Sequence, residues 1–431
     1  MLTQSQAYAN WLSLCHQQPA ASSMQKNDGY LAHYLAPDES VSILQLTKQS
    51  AGTLCKQVEL SINVQDVLWA GFATNTDAAT LALQGVMRNE HFLVGEVIYP
   101  EPPQTPNVER VKKPPRTART TGSPTKSAWF WSPGLWMDSP EKIFNVKSKV
   151  GLNRIYITVP TNNGEVSHPT ELRQFIQKAH AQHLQVWAVL GDPRAVTYEG
   201  VAKFITASAA YAAFNEESIQ AEKLEGLQLD IEPYLIPGYS QDPAVWLSKY
   251  AYVVNNIHYA VPDLPIDIVL PFWFDPATPV VATMLDDVAD SISRITVMDY
   301  RTNPEQIRVI AAKFLDWGAH HQKTVDIALE TLPMAQEERR HYQRAAGTGE
   351  LWQLNLGDKS VLLLLKTPHP SDAGVTSYHF THSRLIDGTD ISFYTKIDSL
   401  KPLINKLEAD LSVWPSYSGL AIHGLDYGLM K

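Results

Sequence analysis

A rhythm in the last two thirds of this 431-residue chain constrains it more than any other feature. From residue 127 onward, short apolar runs alternate with helix-like stretches. The runs are AWFWSP (128–133), RIYITVP (154–160), QVWAVLGD (185–192), GLQLDIEPY (226–234), IDIVLPFWF (266–274), RITVMDY (294–300), TVDIALET (324–331) and GLAIHGLDY (419–427). Between them lie amphipathic segments such as PTELRQFIQKAHAQHL (169–184) and PEQIRVIAAKFLDWGAHH (304–321). Such alternation predicts βα units, and eight runs in roughly 300 residues is the count of a closed barrel. The expected fold class is α/β, a (β/α)8 TIM barrel over 127–431. The gap between the seventh and eighth runs holds a further β-like run, SVLLLLK (360–366), and the polar TSYHFTHSRLIDGTD (376–390). It reads as a long insertion over the active face, at about 332–418.

The barrel is preceded by something different. VSILQL (41–46), VELSINV (58–64), VLWAGF (67–72) and FLVGEVIY (92–99) have the length and spacing of a small β-rich accessory domain over 1–101. Residues 102–126 then change composition to Pro, Thr and basic side chains, which reads as an extended linker. Arg110, Lys112, Lys113, Arg116 and Arg119 within it suit a solvated spacer or an anchor for an acidic polymer. Cys15 and Cys55 are the only cysteines, and a disulfide between them is left open.

Charge and hydropathy narrow the function classes. A formal net charge of −10 argues against a nucleic-acid partner, which requires a concentrated basic surface. No apolar run reaches the ~18 residues of a transmembrane helix. Met1–Leu14 reads as a short amphipathic helix and not as a signal peptide. A secreted, periplasmic or cell-envelope location is expected from the function argued below and from nothing in the N-terminus.

In a TIM barrel the chemistry sits where strands end at the C-terminal face. There the fourth run carries Asp230 and Glu232, and the sixth carries Asp299, Tyr300 and Arg301. The seventh ends in Glu330, and the eighth offers His423 and Asp426. Period-two alternation puts Gln228, Asp230 and Glu232 on one face of the fourth strand and Leu227, Leu229 and Ile231 on the other. The polar set then points into the barrel, where neighbouring carboxyls share a proton and one pKa rises, as a general acid near neutral pH requires. Tyr234, Trp273 and Asp275 approach the same rim, with Trp131 and Trp136 from the first run and its loop. Flat aromatic side chains of this kind fill cores, and they also stack on sugar rings. No Gly-rich phosphate loop, GxSxG or HExxH motif occurs, and neither a metal nor an organic cofactor is expected. His320–His321 at a helix end reads as exposed, and His369, His379 and His382 in the insertion could include a ligand set but lack an accompanying carboxylate cluster.

EGLQLDIE (225–232) resembles the DxxDxDxE signature of the chitinase-like, family 18 glycoside hydrolases, with Glu225, Gln228, Asp230 and Glu232 on its four acidic positions. VMDYR (297–301) is similar to that family's M-x-Y-D segment, and GLAIHGLDY to its last-strand G-x-x-x-W motif with His423 in place of Trp. The resemblance covers 127–431. It implies a hydrolase acting on a polysaccharide or glycoconjugate, possibly N-acetylated, in which Glu232 donates the proton. Asp230 would steer the substrate's acetamido group in substrate-assisted hydrolysis, and Tyr300 would hydrogen-bond it. Gln228 and His423 depart from the pattern, so two other readings stand beside this one. In one, Glu330 is the nucleophile of a two-carboxylate retaining mechanism with Glu232 as acid/base. In the other, the barrel binds sugar without cleaving it, or serves as a scaffold in polysaccharide assembly.

Overall fold

The computed structural model describes residues 29–35, 41–47, 67–73, 78–88, 91–98, 124–236, 239, 242–356, 359–371, 375–394 and 397–427. The expectations for Met1–Leu14, Cys15, Cys55, the run 58–64 and linker residues 102–123 lie outside them. The described chain divides into two compact units, the larger containing 107–236, 243–334 and 388–431.

The larger unit is a closed barrel of eight parallel strands. They are β1 (Thr125–Phe130), β2 (Arg154–Ile157), β3 (Gln185–Leu190), β4 (Gly226–Leu229), β5 (Ile266–Pro271), β6 (Arg294–Met298), β7 (Thr324–Glu330) and β8 (Tyr417–His423). Every apolar run read from the sequence supplies one strand, in order, and β8 closes on β1 through Gly419↔Thr125 to Ile422↔Ala128. The connecting helices are α1 (Pro140–Val150), α2 (Pro169–His180), α3 (Tyr198–Glu216), α4 (Pro243–Ala260), α5 (Pro279–Val288), α6 (Pro304–His321) and α7 (Ile397–Leu411). Local chemistry sets their ends. The Asn303 side chain accepts from the backbone N–H groups of Glu305 and Gln306 at 2.9 and 3.3 Å, and Pro304 follows at the first helical position of α6. None of the described helices is long and apolar enough to cross a membrane.

The inside of the barrel is unusually polar. One layer is aromatic: Trp129, Tyr156 and Trp187 pack with Val189, Val269 and Met298. Against it Arg294 donates to Asp326 at 2.8 Å, Arg154 lies 3.5 Å from the same carboxylate, and the Arg154 guanidinium sits 4.8 Å above the Trp187 ring. These charges are tolerable in a dry interior because each faces an opposite charge or a π face. Gly226 makes room for the Trp187 indole, since a Cβ there would lie 2.4 Å from the ring.

The smaller unit holds a two-stranded antiparallel ribbon, Gly29–Leu35 with Val41–Thr47, and a seven-stranded antiparallel sheet. The sheet's order is Val67–Ala73, Lys359–Pro370, Thr348–Leu356, Val375–Ile386, Glu337–Ala345, Thr80–Arg88 and His91–Ile98. This revises the domain boundaries expected from the sequence. The segment read as a barrel insertion is instead four strands of the sheet that also holds residues 67–98. The barrel resumes at 388 with a short helix and α7, not at 418. The physical reason is pairing: Leu81, Leu83 and Phe92 share one buried cluster with Leu351, Leu362, Leu364 and Tyr378. Neither segment supplies that core alone.

Replacing Gly226 by Ala forces the Trp187 ring out of its place in the barrel. The expected loss is about 1–3 kcal/mol, the usual scale of core overpacking, read as a lower denaturant midpoint with an unchanged m-value.

Candidate active site

The site begins on β4. Its alternation turns Leu227, Leu229 and Ile231 outward into buried contacts and Gln228, Asp230 and Glu232 inward. Pairing with β3 persists past the strand end, because the Asp230 N–H donates to the Leu190 carbonyl at 2.8 Å. At Glu232 the chain leaves the extended conformation, and Pro233–Leu235 forms a single 3-10 turn. That turn brings Tyr234 back over Glu232, so that the phenol donates a short hydrogen bond to the Glu232 carboxyl. Tyr234 is held edge-on by Trp273 and Phe274, at ring separations of 5.2 and 5.9 Å.

A cavity of about 410 Å³ opens over the strand ends. Trp129, Trp131, Asp192, Asp230, Glu232, Tyr300 and His423 line it, with Gly191, Pro193, Val269 and Met298 between them. Below it, the Trp129 indole N–H donates to Gln228 Oε1 at 2.5 Å, and Gln228 Nε2 donates to Asp267 at 2.8 Å. Asp267 also accepts from the Tyr156 phenol at 3.0 Å and from Thr296 at 2.9 and 3.1 Å. The amide satisfies both neighbours of position 228, because an indole only donates and an ionised carboxylate only accepts.

Burial is the main electrostatic influence. It pushes the Asp230 carboxyl up to about 7, with the Glu232 and Asp267 charges adding and His423 opposing. Glu232 is raised by the same burial, partly offset by the Tyr234 hydrogen bond and by His423. Asp230 Oδ1 has no hydrogen-bond partner among the described residues. Two buried carboxyls in this relation disfavour each other's ionisation. Burial likewise raises Asp267, to about 6, with the Arg294 charge opposing. Asp192 differs: Arg194 grips it in a fork of 2.7–3.2 Å and lowers its pKa, so it meets the cavity as an anion.

Of the residues picked from the sequence, Asp230, Glu232, Tyr300, Trp131 and His423 meet at this cavity. Gln228 and Tyr234 support it from behind. Asp426 accepts from the Trp131 backbone N–H at 3.1 Å and so acts on the wall indirectly. Glu330, expected to face the substrate as a possible nucleophile, does not line the cavity. Its Oε1 accepts from the N–H groups of Thr331 and Leu332 at 2.8 and 2.7 Å, and its Oε2 lies 2.9 Å from His423 Nδ1. The backbone turn after β7 captures this carboxylate. Asp299 is also displaced from the expected role. Met298 and Tyr300 face inward, so Asp299 between them points away, fully buried, with neither carboxyl oxygen hydrogen-bonded.

Arg301 stacks on Phe272 at 4.2 Å, and Asp275 is paired to Lys313 at 2.7 Å, both outside the cavity lining. Trp273 touches Tyr234 but leaves 49% of its surface exposed beyond the cavity. Glu225, the first acidic position of the resemblance, sits at the opposite end of β4, accepting from the Val186 N–H at 2.7 Å and paired with His180 at 2.8 Å. Trp136 is buried with its indole N–H on the Thr158 carbonyl. Two cavity residues escaped the sequence reading, Trp129 and Asp192. Alternation along the first run, which puts Trp129 and Trp131 on one face, was a usable signal for the former. For Asp192 the signal was its place at the end of the third run. Among the described residues no group of three or more His, Cys, Asp or Glu is arranged to hold a metal. His382 stacks on His341 at 4.4 Å, and His369 meets Thr367 at 3.2 Å.

No family model matches the chain, and no curated protein matches it. Solved structures with a similar fold include a chitinase from Bacteroides thetaiotaomicron, at 9% identity and a TM-score of 0.38, over 70% of this chain and 89% of that one. A mutant GH18 chitinase from Cycas revoluta in complex with (GlcNAc)4 is similar at 11% identity and a TM-score of 0.37, over 69% and 94%. The spore cortex-lytic enzyme SleL of Bacillus cereus is similar at 11% identity and a TM-score of 0.37, over 76% and 73%. The barrel itself stands on its own strand pairing.

A carboxyl whose pKa rises from 3.8 unfolded to about 7 folded costs stability once the unfolded chain ionises. The native state is favoured by this group below the unfolded value and loses that advantage as pH rises towards 7. Asp230→Asn removes the penalty. At pH ~8 the variant should be more stable than wild type by on the order of 2 kcal/mol, with the difference fading as pH falls towards ~4, measured by denaturant titration across pH.

Proposed function

We propose that this protein is a glycoside hydrolase that cleaves N-acetylated oligosaccharide or polysaccharide chains with retention, by substrate assistance. The observation that carries the reading is the pair of carboxyls Asp230 and Glu232, set at the end of β4 in a cavity lined by the indoles of Trp129 and Trp131. Glu232 is the proton donor to the glycosidic oxygen. Burial raises its pKa, the direction a general acid requires, and the Tyr234 phenol fixes its orientation. The acetamido oxygen of the bound sugar attacks the anomeric carbon as that bond breaks. Asp230, facing the same space, orients the acetamido N–H and takes up the charge that develops on the group. Water then attacks the cyclic intermediate from the vacated side, with Glu232 taking its proton, so the anomeric configuration is restored. Tyr300 offers its phenol to the acetamido group from β6. Trp129 and Trp131 offer apolar faces to the sugar rings.

The occupied oxygens of Glu330 argue against the two-carboxylate version, in which that residue would have to face the anomeric carbon. Gln228 favours the second reading, sugar binding without turnover. Its amide is committed to Trp129 and Asp267, so it offers Asp230 no exchangeable proton. Turnover separates the two readings.

Hydrolysis of a panel of N-acetylglucosamine oligomers and fluorogenic N-acetylated glycosides is the direct test. Wild type should cleave at least one member, and Glu232→Gln should lose about 10²–10⁴ of kcat, the usual contribution of a general acid. Binding by both proteins without cleavage would sink the hydrolase reading in favour of a sugar-binding barrel. For a cleaving wild type, kcat should fall on the alkaline side as the pair loses its proton around pH 7, and Asp230→Asn should displace that limb.

A further inference from the structure

Glu330, His423 and Trp131 form one hydrogen-bonded chain that runs from β7, through the end of β8, to the cavity wall just past β1. Glu330 is buried and immobilised by two backbone N–H groups on one oxygen, leaving the other 2.9 Å from His423 Nδ1. On the far side of the same ring, the Trp131 indole Nε1 lies 3.1 Å from His423 Nε2. An indole nitrogen can only donate, so Nε2 must carry the lone pair and the imidazole proton must sit on Nδ1, towards Glu330. The arrangement therefore requires a neutral imidazole of one defined tautomer. An imidazolium would turn a second N–H against the indole N–H. The backbone of Trp131 is tied separately, its N–H to Asp426. Loss of the indole hydrogen bond thus frees the side chain while leaving the strand end in place.

We propose that Glu330 and His423 are positioning residues for Trp131, holding its indole as the cavity wall only while His423 is neutral and releasing it when the ring gains a proton. The charged groups facing that ring are Glu330 from β7, Asp230 and Glu232 from the end of β4, and Asp426 beyond β8. Tyr300 from β6 stacks on it at 6.1 Å, and Trp129 from β1 meets it edge-on at 5.8 Å, neither of them charged near neutrality. Burial works against the ring's charge, but the Glu330 hydrogen bond and the charges of Glu330, Asp230 and Asp426 outweigh it and raise the pKa above 6.5. Acid therefore loosens the wall and alkali fixes it. This opposes the response of Asp230 and Glu232, which acid protonates. The inference rests on the proposed function only in treating what packs against the indole as a sugar.

The test uses the full chain labelled with 5-fluorotryptophan, the Trp131 resonance being assigned by its loss in Trp131→Phe, and contains no sugar. Failure of the hydrolase reading would therefore leave the result interpretable. In wild type the Trp131 fluorine resonance should move as pH falls, with the same midpoint as the His423 ring nitrogens. In His423→Gln, whose amide can accept from the indole and donate to Glu330 but does not titrate, the resonance should stay flat. In Glu330→Gln the midpoint should move to lower pH, because a neutral partner no longer favours the imidazolium. A Trp131 resonance that ignores His423 titration in wild type, or that keeps its full pH response in His423→Gln, would overturn the proposal. Should His423→Gln not fold, ring nitrogen-15 shifts of wild type at alkaline pH still decide. Protonated Nδ1 with bare Nε2 supports the chain, and the opposite tautomer refutes it.

Discussion

The amide of Gln228 sits between an indole that can only donate and a carboxylate that accepts, and the polar interior of this barrel is organised around that match. A strand that turns Gln228, Asp230 and Glu232 inward takes several polar groups out of water at once, at a cost of kilocalories for each left unpaired. Gln228 joins Trp129 to Asp267, and Asp267 in turn gathers Tyr156 and Thr296. Further down, Asp326 is shared by Arg154 and Arg294. Above these layers one carboxyl oxygen of Asp230 reaches the cavity with no hydrogen-bond partner among the described residues.

The same logic accounts for what the sequence made legible. Eight strand-like runs and the alternation along 226–232 depend on nearest neighbours in the chain, and these were readable because side-chain direction repeats every second residue. That alternation also reads Asp299 correctly once Met298 and Tyr300 are known to face inward. The direction of Glu330 was not legible. It depends on two N–H groups that become available only because the chain turns at Thr331 and Leu332, and on a histidine brought beside it by β8. Asp192 stands at the end of the third run, but its fixed charge depends on the grip of Arg194, a loop contact that alternation does not announce.

The two positions at which the sequence differs from the motifs it resembles have hydrogen-bonding roles in three dimensions. At position 228, Gln in place of a carboxylate serves the hydrogen-bond balance with Asp267. At position 423, histidine in place of an indole coincides with indoles on β1 and just after it, where Trp129 and Trp131 line the cavity. The aromatic surface at the barrel mouth is thus supplied from β1 and the residues just after it, beside His423.

The seven-stranded sheet has a consequence for how the chain is made. Among the described residues, Val67–Ala73 pairs with Lys359–Pro370 alone, and Thr80–Arg88 finds one neighbour in His91–Ile98 but its other in Glu337–Ala345. On a ribosome adding roughly 5–20 residues per second, the early strands must wait on the order of tens of seconds for these partners. Seven barrel strands emerge in the interval, while Leu81, Leu83 and Phe92 have no core to enter. The nascent chain therefore passes through a long window in which unpaired strand edges and apolar side chains are available to chaperones or to other chains.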